Sequence, residues 1–288
     1  MKYNFDEIIN RKGTNALKTD ALAARYGNAE LIPLWVADMD FKSPPAITEA
    51  IIERAHHGIF GYTCASQEYY NSIINWVNRH HNWQIQQEWI TFIPGIVKGI
   101  AFVLDCFTSK DHQIIIQPPV YHPFRIIPTL HHRIVVDNPL TLEAGQYKMD
   151  LEGLKNIINP ASKVLILCNP HNPGGRVWTR QELIDIAEIC YEHKILVISD
   201  EIHSDLAFAP HKHIPFASVS EKAAQNSITF MAPSKTFNIA GIVSSYSIIP
   251  NDELRKKFNK YLESSELDEG HIFAYLAAQI AYEHCDEW

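Results

Sequence analysis

Five short runs of mostly branched apolar residues constrain the fold more than any other feature of this chain: 113–117, 163–168, 195–199, 227–231 and 244–249. Each has little polar interruption, and each stops at a polar residue, a proline or a glycine. That pattern predicts strands buried on both faces, as in a sheet covered on either side by helices. Residues 179–193 supply one of the covering elements. Leu183, Ile184, Ala187 and Cys190 recur at three- and four-residue steps behind Thr179, a helix cap with Glu182 at the capping-box position. Strand and helix alternate, so the middle of the chain is α/β with a mostly parallel sheet.

The 288 residues allow one large domain and an appendage. Residues 1–43 lack a sustained period and end in Leu34-Trp35-Val36-Ala37-Asp38-Met39-Asp40-Phe41 before the breaker Ser43-Pro44-Pro45, which reads as an N-terminal arm laid over the rest. The large α/β domain is expected over 44–250. From 251 to 288 the chain turns helical and charged, as the start of a further, C-terminal domain. Residues 66–80, with Tyr69, Ile73, Trp76 and Val77 on one stripe, form a helix that faces the core or a second copy.

Composition excludes several functions. A net charge of -8 does not suit a nucleic-acid surface. The five cysteines are scattered, with no CxxC pair, so neither a disulfide framework nor a zinc site is expected, and a reducing cytoplasm fits. Residues 1–10 lack the basic start and apolar run of a signal peptide, and no apolar stretch is long enough to span a membrane. The histidine pairs 56–57, 80–81 and 131–132 come without HExxH or a cysteine cluster, so no metal is expected; no G-x-G-x-x-G follows a strand, which disfavours a nicotinamide cofactor.

In open α/β sheets ligands bind at the carboxyl ends of the strands, which makes the residues after each run the ones to weigh. After 114–116 comes Pro118-Pro119-Val120-Tyr121. After 164–168 comes Asn169-Pro170-His171-Asn172-Pro173-Gly174-Gly175. After 195–199 comes Asp200-Glu201-Ile202-His203, and after 228–231 comes Ala232-Pro233-Ser234-Lys235. Singly, each is ordinary cap, turn or rim chemistry. Together an aromatic, an amide, a carboxylate and a lysine converge on one rim. The segment 91–100, with Pro94-Gly95 before Ile96 and Val97, reads as a strand end, a glycine turn and a helix start whose free N–H groups suit an anion.

The combination Asn169-Pro170-His171-Asn172-Pro173, then Asp200, then Ser234-Lys235 resembles the fold-type I pyridoxal 5'-phosphate (PLP) enzymes, the aspartate aminotransferase superfamily, over about 31–250. The resemblance implies that Lys235 carries PLP as a Schiff base and that its freed amine removes the substrate's Cα proton. It implies that Asp200 pairs with the pyridinium nitrogen, Asn172 donates to the phenolic oxygen and Tyr121 stacks on the ring. Ser234 and the N–H groups of Ile96 and Val97 would hold the phosphate, with Tyr62 contributed by a neighbouring subunit, so a homodimer is expected.

Two positions depart from the transaminases of that superfamily. His203 stands where they carry Tyr, and takes its place in the cofactor shell; Val243 stands where they carry a phosphate-binding Arg. With the strings 35–41, 119–124 and 200–205, these departures resemble the cystathionine β-lyase branch, the bacterial carbon–sulfur lyases that include the maltose-regulon modulator. The implied reaction is α,β-elimination of L-cystathionine or a related cysteine conjugate to thiol, pyruvate and ammonia. A true aminotransferase, or a non-catalytic PLP-binding regulatory module, is the alternative. The family's substrate-carboxylate arginine belongs to a C-terminal domain that appears truncated here. Arg176 reads as a loop cation and Arg125 as a helix residue, so turnover is expected to be poor. The apolar face of the 272–282 helix is expected to lie uncovered.

Overall fold

A computed structural model describes residues 3–288; the first two residues of the expected arm lie outside the described residues. Among the described residues nine strands form: β1 (Ile90–Ile93), β2 (Gln113–Ile116), β3 (Ile134–Asp137), β4 (Thr141–Glu143), β5 (Gln146–Lys148), β6 (Ser162–Cys168), β7 (Leu196–Asp200), β8 (Ser227–Met231) and β9 (Ser245–Ile248). Seven make one sheet in the order β1-β9-β8-β7-β6-β2-β3, and β4 pairs with β5 in a separate hairpin. The five expected strands are all present, with no end shifted by more than one residue. The most consequential shift is at β7, which keeps Asp200 as its last residue.

From β8 through β7, β6 and β2 to β3 the strands run parallel, whereas β9 is antiparallel to both its neighbours, β8 and the edge strand β1. The change of direction follows from the connections. A parallel return needs a crossover long enough to span the sheet, normally a helix. Helix Arg180–Glu192 lies between β6 and β7. Between β8 and β9 the chain makes only a short 3-10 turn at Ala240–Ile242, so it comes back antiparallel.

Both faces of the sheet are covered. On one, Ile96, Ile100 and Val103 of helix Ile96–Phe107 meet Ile114, Ile166, Ile198 and Phe258. On the other, Leu183, Ile186 and Cys190 of helix Arg180–Glu192 meet Leu165, Leu167 and Val197. Thr179 caps that helix with the expected reciprocal Glu182 box. The apolar faces account for the continuous runs, since each buried Ile, Leu or Val contributes roughly 1.5–3 kcal/mol.

A third cluster is built on helix Gln67–His81, where Tyr69, Ile73, Trp76 and Val77 face inward, with helices Pro45–His56 and Ile272–His284 against it. The expectation of an uncovered face on 272–282 is corrected here. Ala274, Ala277, Ala278 and Ala281 are fully buried, because their small side chains let this helix pack closely into the cluster.

Arg11 and Lys18 pair with Asp38 and Asp40, and Lys18 is buried in doing so. These pairs hold residues 38–40 in register for the contacts that follow.

Candidate active site

The parallel strands deliver four polar segments to one end of the sheet. Asp200 is last on β7 and is paired in register with Cys168, the last residue of β6. The Asn169 N–H donates to the Asp200 carbonyl oxygen at 3.0 Å. Asn172 follows on the same turn, where its own N–H donates to Cys168 Sγ at 3.2 Å. The side-chain amide of Asn172, the hydroxyls of Tyr121 and Ser234 and the ring of His203 make no hydrogen bond among the described residues, although all four residues are at least partly buried. Polar groups held at a rim without internal partners are the signature of a ligand-binding surface.

Charge coupling places the titratable members together. Burial of Asp200 pushes its carboxyl up to about 7, against the opposing pull of the Ile202 N–H on Oδ1 and of the Lys235 ammonium. Burial lowers Lys235, while Asp38 and Asp200 act the other way. Burial and the nearby Lys235 push His203 down to about 4, so its ring is neutral at ordinary pH. The Tyr121 hydroxyl is raised by burial and by Asp200. Lys235, Asp200, His203 and Tyr121 therefore share one electrostatic neighbourhood, as perturbed groups in a functional site do.

The arm closes over this cluster. Lys235 Nζ donates to the Ala37 carbonyl at 3.0 Å. Three residues on, Asn238 accepts from the Met39 N–H at 2.9 Å and donates to the Met39 and Phe41 carbonyls, while Ser43 Oγ donates back to the Asn238 carbonyl. The apolar-acidic string of the sequence is thus stitched to the loop that carries the lysine.

Helix Ile96–Phe107 begins beside the cluster after Gly95, whose φ of +112° no L side chain adopts comfortably. Ile96 and Val97 occupy its first turn, where backbone N–H groups are free of intrahelical partners. Val243 borders this turn: a Cβ built on Gly95 would lie 3.9 Å from Val243 Cγ1. Tyr62 is elsewhere. It is fully exposed and lines a cavity of about 520 Å³ with Phe60, Gly61, Thr63 and residues 269–273.

Two arginines weighed from the sequence are engaged away from the cluster. Arg125 holds both oxygens of Asp137, and Arg176 lies 2.8 and 2.9 Å from the two Glu182 oxygens. His80 and His81 point to different acceptors, Asp286 and Asp205. No group of three or more His, Cys, Asp or Glu among the described residues is placed to share a metal ion. A cavity of about 710 Å³ borders the lysine loop at Thr236 and Phe237 rather than at Lys235. The chemistry-bearing groups lie at the strand ends, and we place the site there.

One buried polar network has no signal in the motifs. Asp205 accepts from Thr236 Oγ1 at 2.6 Å, from His81 Nε2 at 2.8 Å and from Trp76 Nε1 at 3.1 Å. Behind it, His213 Nε2 lies 2.7 Å from Glu201 Oε2, and Glu201 also accepts from Ser199 Oγ and the Phe216 N–H. The Asp200-to-Asp205 string was the only available hint.

An open, mostly parallel sheet with a lysine and a buried carboxylate at its strand ends defines a class of α/β enzymes that hold a ring cofactor there. The chain belongs to the aminotransferase class I and II family, whose model matches residues 29–280. It is 44% identical to the cystathionine beta-lyase PatB of Bacillus subtilis (strain 168), covering 99% of this chain and 74% of that one. It superposes on cystalysin from Treponema denticola, a structure containing pyridoxal 5'-phosphate, with a TM-score of 0.95 and 35% identity over 100% of this chain and 74% of that one. The PLP-bound C-S lyase from Staphylococcus hominis gives a TM-score of 0.89 at 37% identity, over 98% and 71% of the two chains. No helix among the described residues is long and apolar enough to cross a membrane.

Proposed function

We propose that this chain is a PLP-dependent carbon–sulfur β-lyase acting on L-cystathionine or a related cysteine conjugate. The observation that carries the reading is Asp200: a buried carboxylate, held by a single backbone N–H, on which the Lys235 charge acts. Such a group is costly to ionise unless a cation faces it. A protonated pyridine nitrogen supplies one, which is why the residues present fit PLP. When bound, PLP supplies an electron sink for charge developing at the substrate's Cα.

The chain's own residues supply the rest. Lys235 holds the cofactor covalently; once released, its Nζ takes the proton from Cα and returns one to the departing sulfur. Burial lowers Lys235, which favours the neutral amine this requires. Asn172 would donate to the phenolic oxygen, and Tyr121 would pack on the ring. Ser234 and the Ile96 and Val97 N–H groups would hold the phosphate at the helix start. His203, neutral, lines the shell without adding charge.

Tyr62 completes the cup from a second copy, in a homodimer. Its full exposure on an apolar loop, with Ile59 and Phe60 also exposed, supports that placement. A partner-supplied Tyr62 predicts that the loaded protein sediments as a dimer and that Tyr62→Phe weakens PLP retention. A monomer that holds PLP tightly would contradict it.

The test of the reading is chemical. Borohydride reduction of the loaded protein should fix the cofactor on a peptide containing Lys235, and the unreduced protein should release pyruvate from L-cystathionine. Lys235→Ala should lose more than about two powers of ten in turnover. Label recovered elsewhere, or Lys235→Ala within tenfold of the parent, overturns the assignment. Efficient turnover only with a keto-acid acceptor makes the chain an aminotransferase. Stoichiometric PLP with no turnover of either kind makes it a binding module.

A further inference from the structure

The mechanism above leaves two carboxylates unused, the buried Glu201 and the nearly buried Asp205. Asp205 keeps only 9% of its side chain exposed and receives three side-chain donors. Burial works against its ionisation, but the His81, Thr236 and Trp76 donors prevail and hold it below the usual carboxylate range. An aspartate present only to shape its own turn would bond to backbone a few residues away. Here Thr236 comes from 31 residues along the chain, and His81 and Trp76 from more than 120.

Thr236 is the immediate neighbour of Lys235, and we propose that Asp205 is a positioning residue that aims Lys235 at the cofactor through Thr236. The inference rests on the assignment of Lys235 made above. Lysine has four rotatable side-chain bonds, so its amine is placed only as well as its backbone is. The loop 235–238 is gripped at two points. Asn238 ties one side to the arm, and Thr236 ties the other to Asp205. Both ties lie just after Lys235, and the nearer one, at the adjacent residue Thr236, restrains the Lys235 backbone from that side.

The opposite partner is held by the same means. Glu201, which follows Asp200, turns into the interior and meets His213, and the His213 ring lies edge-on to the His81 ring with centroids 5.2 Å apart. The residues after the carboxylate and after the lysine thus enter one buried network. The distance between Lys235 and Asp200 is set by groups that touch neither the cofactor nor the substrate.

The experiment uses cofactor-free full chain and follows PLP capture at Lys235 over time, trapping with borohydride. If the parent's label is not on Lys235, the assignment of Lys235 fails, not the positioning role alone. With the label there, Thr236→Val, close to isosteric without the hydroxyl, should capture PLP at least tenfold more slowly. It should also lower kcat by on the order of a hundredfold with KM little changed, the cost of displacing a reacting group by about an ångström. Thr236→Ser should restore both to within a few-fold. Asp205→Asn should match Thr236→Val, because its amide presents hydrogens where donors already point, and the double variant should be no worse than either. Parental capture rate and kcat per folded molecule in Thr236→Val, with only melting temperature reduced, would leave Asp205 a purely structural residue. Losses that multiply in the double variant would also overturn the proposal.

Discussion

His171 Nε2 lies 2.7 Å from the Pro119 carbonyl oxygen. Because a carbonyl only accepts, that nitrogen carries the proton, and the turn bearing Asn172 is pinned to the loop bearing Tyr121. Burial lowers the His171 pKa, so the clasp is made by a neutral ring packed edge-on against Trp178. His171→Ala should cost roughly 2–4 kcal/mol in chemical denaturation, from the lost packing and the stranded carbonyl. It should also weaken PLP retention, since two cofactor contacts are loosened at once. Stability lost with PLP retention unchanged would show that the two loops hold their places independently.

Asp200 and His203 give the cofactor-free protein opposite pH responses. The folded Asp200 pKa, about 7, lies above its ordinary 3.8. The native state therefore binds that proton more tightly, and the penalty for burying the ionised carboxylate, roughly 4 kcal/mol above pH 7, is relieved as pH falls towards 4. The folded His203 pKa, about 4, lies below its ordinary 6.5, so the unfolded chain takes that proton first and stability is lost as pH falls through the same window. Asp200→Asn without cofactor should consequently be more stable than the parent at pH 8.5, by a few kcal/mol, with the gap narrowed to under about half at pH 5. Urea melts at the two pH values measure it. A gap independent of pH would mean that Asp200 titrates as an exposed carboxylate.

What was legible in the sequence divides along physical lines. Strands such as β6 and β7 are buried on both faces, so 164–168 and 196–198 are continuously apolar and the runs stand out. β3 lies at the sheet edge with Ile134 and Asp137 exposed, and its apolar stretch is only the three residues 134–136, while β4 and β5 form a mostly exposed polar hairpin with no apolar run. The direction of β9 was not legible, because a run of apolar residues carries no sign of which way it points. Of the site, the groups at strand ends were legible since a strand end is a short-range feature. The Asp205 network was not, because Trp76 and His81 read correctly as a core stripe and a histidine pair while their partner lay more than 120 residues away. Nor could the 272–282 helix be placed: its alanines mark it as apolar but not as covered, and only the closeness of the 67–81 helix decides that.

The start of helix Ile96–Phe107 offers the sharpest test of the phosphate site, because strain and crowding can be separated there. Gly95 has φ +112°, yet a Cβ at that position would meet nothing closer than Val243 Cγ1 at 3.9 Å. Gly95→Ala is therefore a backbone change and not a clash. Alanine resists that φ at a cost of about 1–3 kcal/mol, so the turn should relax and swing the Ile96 and Val97 N–H groups off their target. Equilibrium dialysis should find PLP held at least tenfold more weakly, with the protein still folded by circular dichroism. Val243→Arg works in the other direction. It places a guanidinium at the same helix start, where a charge-assisted contact adds to the free N–H groups and should tighten retention about tenfold. The glycine change weakening PLP and the arginine change strengthening it would together locate the phosphate at this turn. If Gly95→Ala retains PLP as the parent does, the phosphate lies elsewhere on the rim and the cup assigned to Ser234, Ile96 and Val97 is wrong.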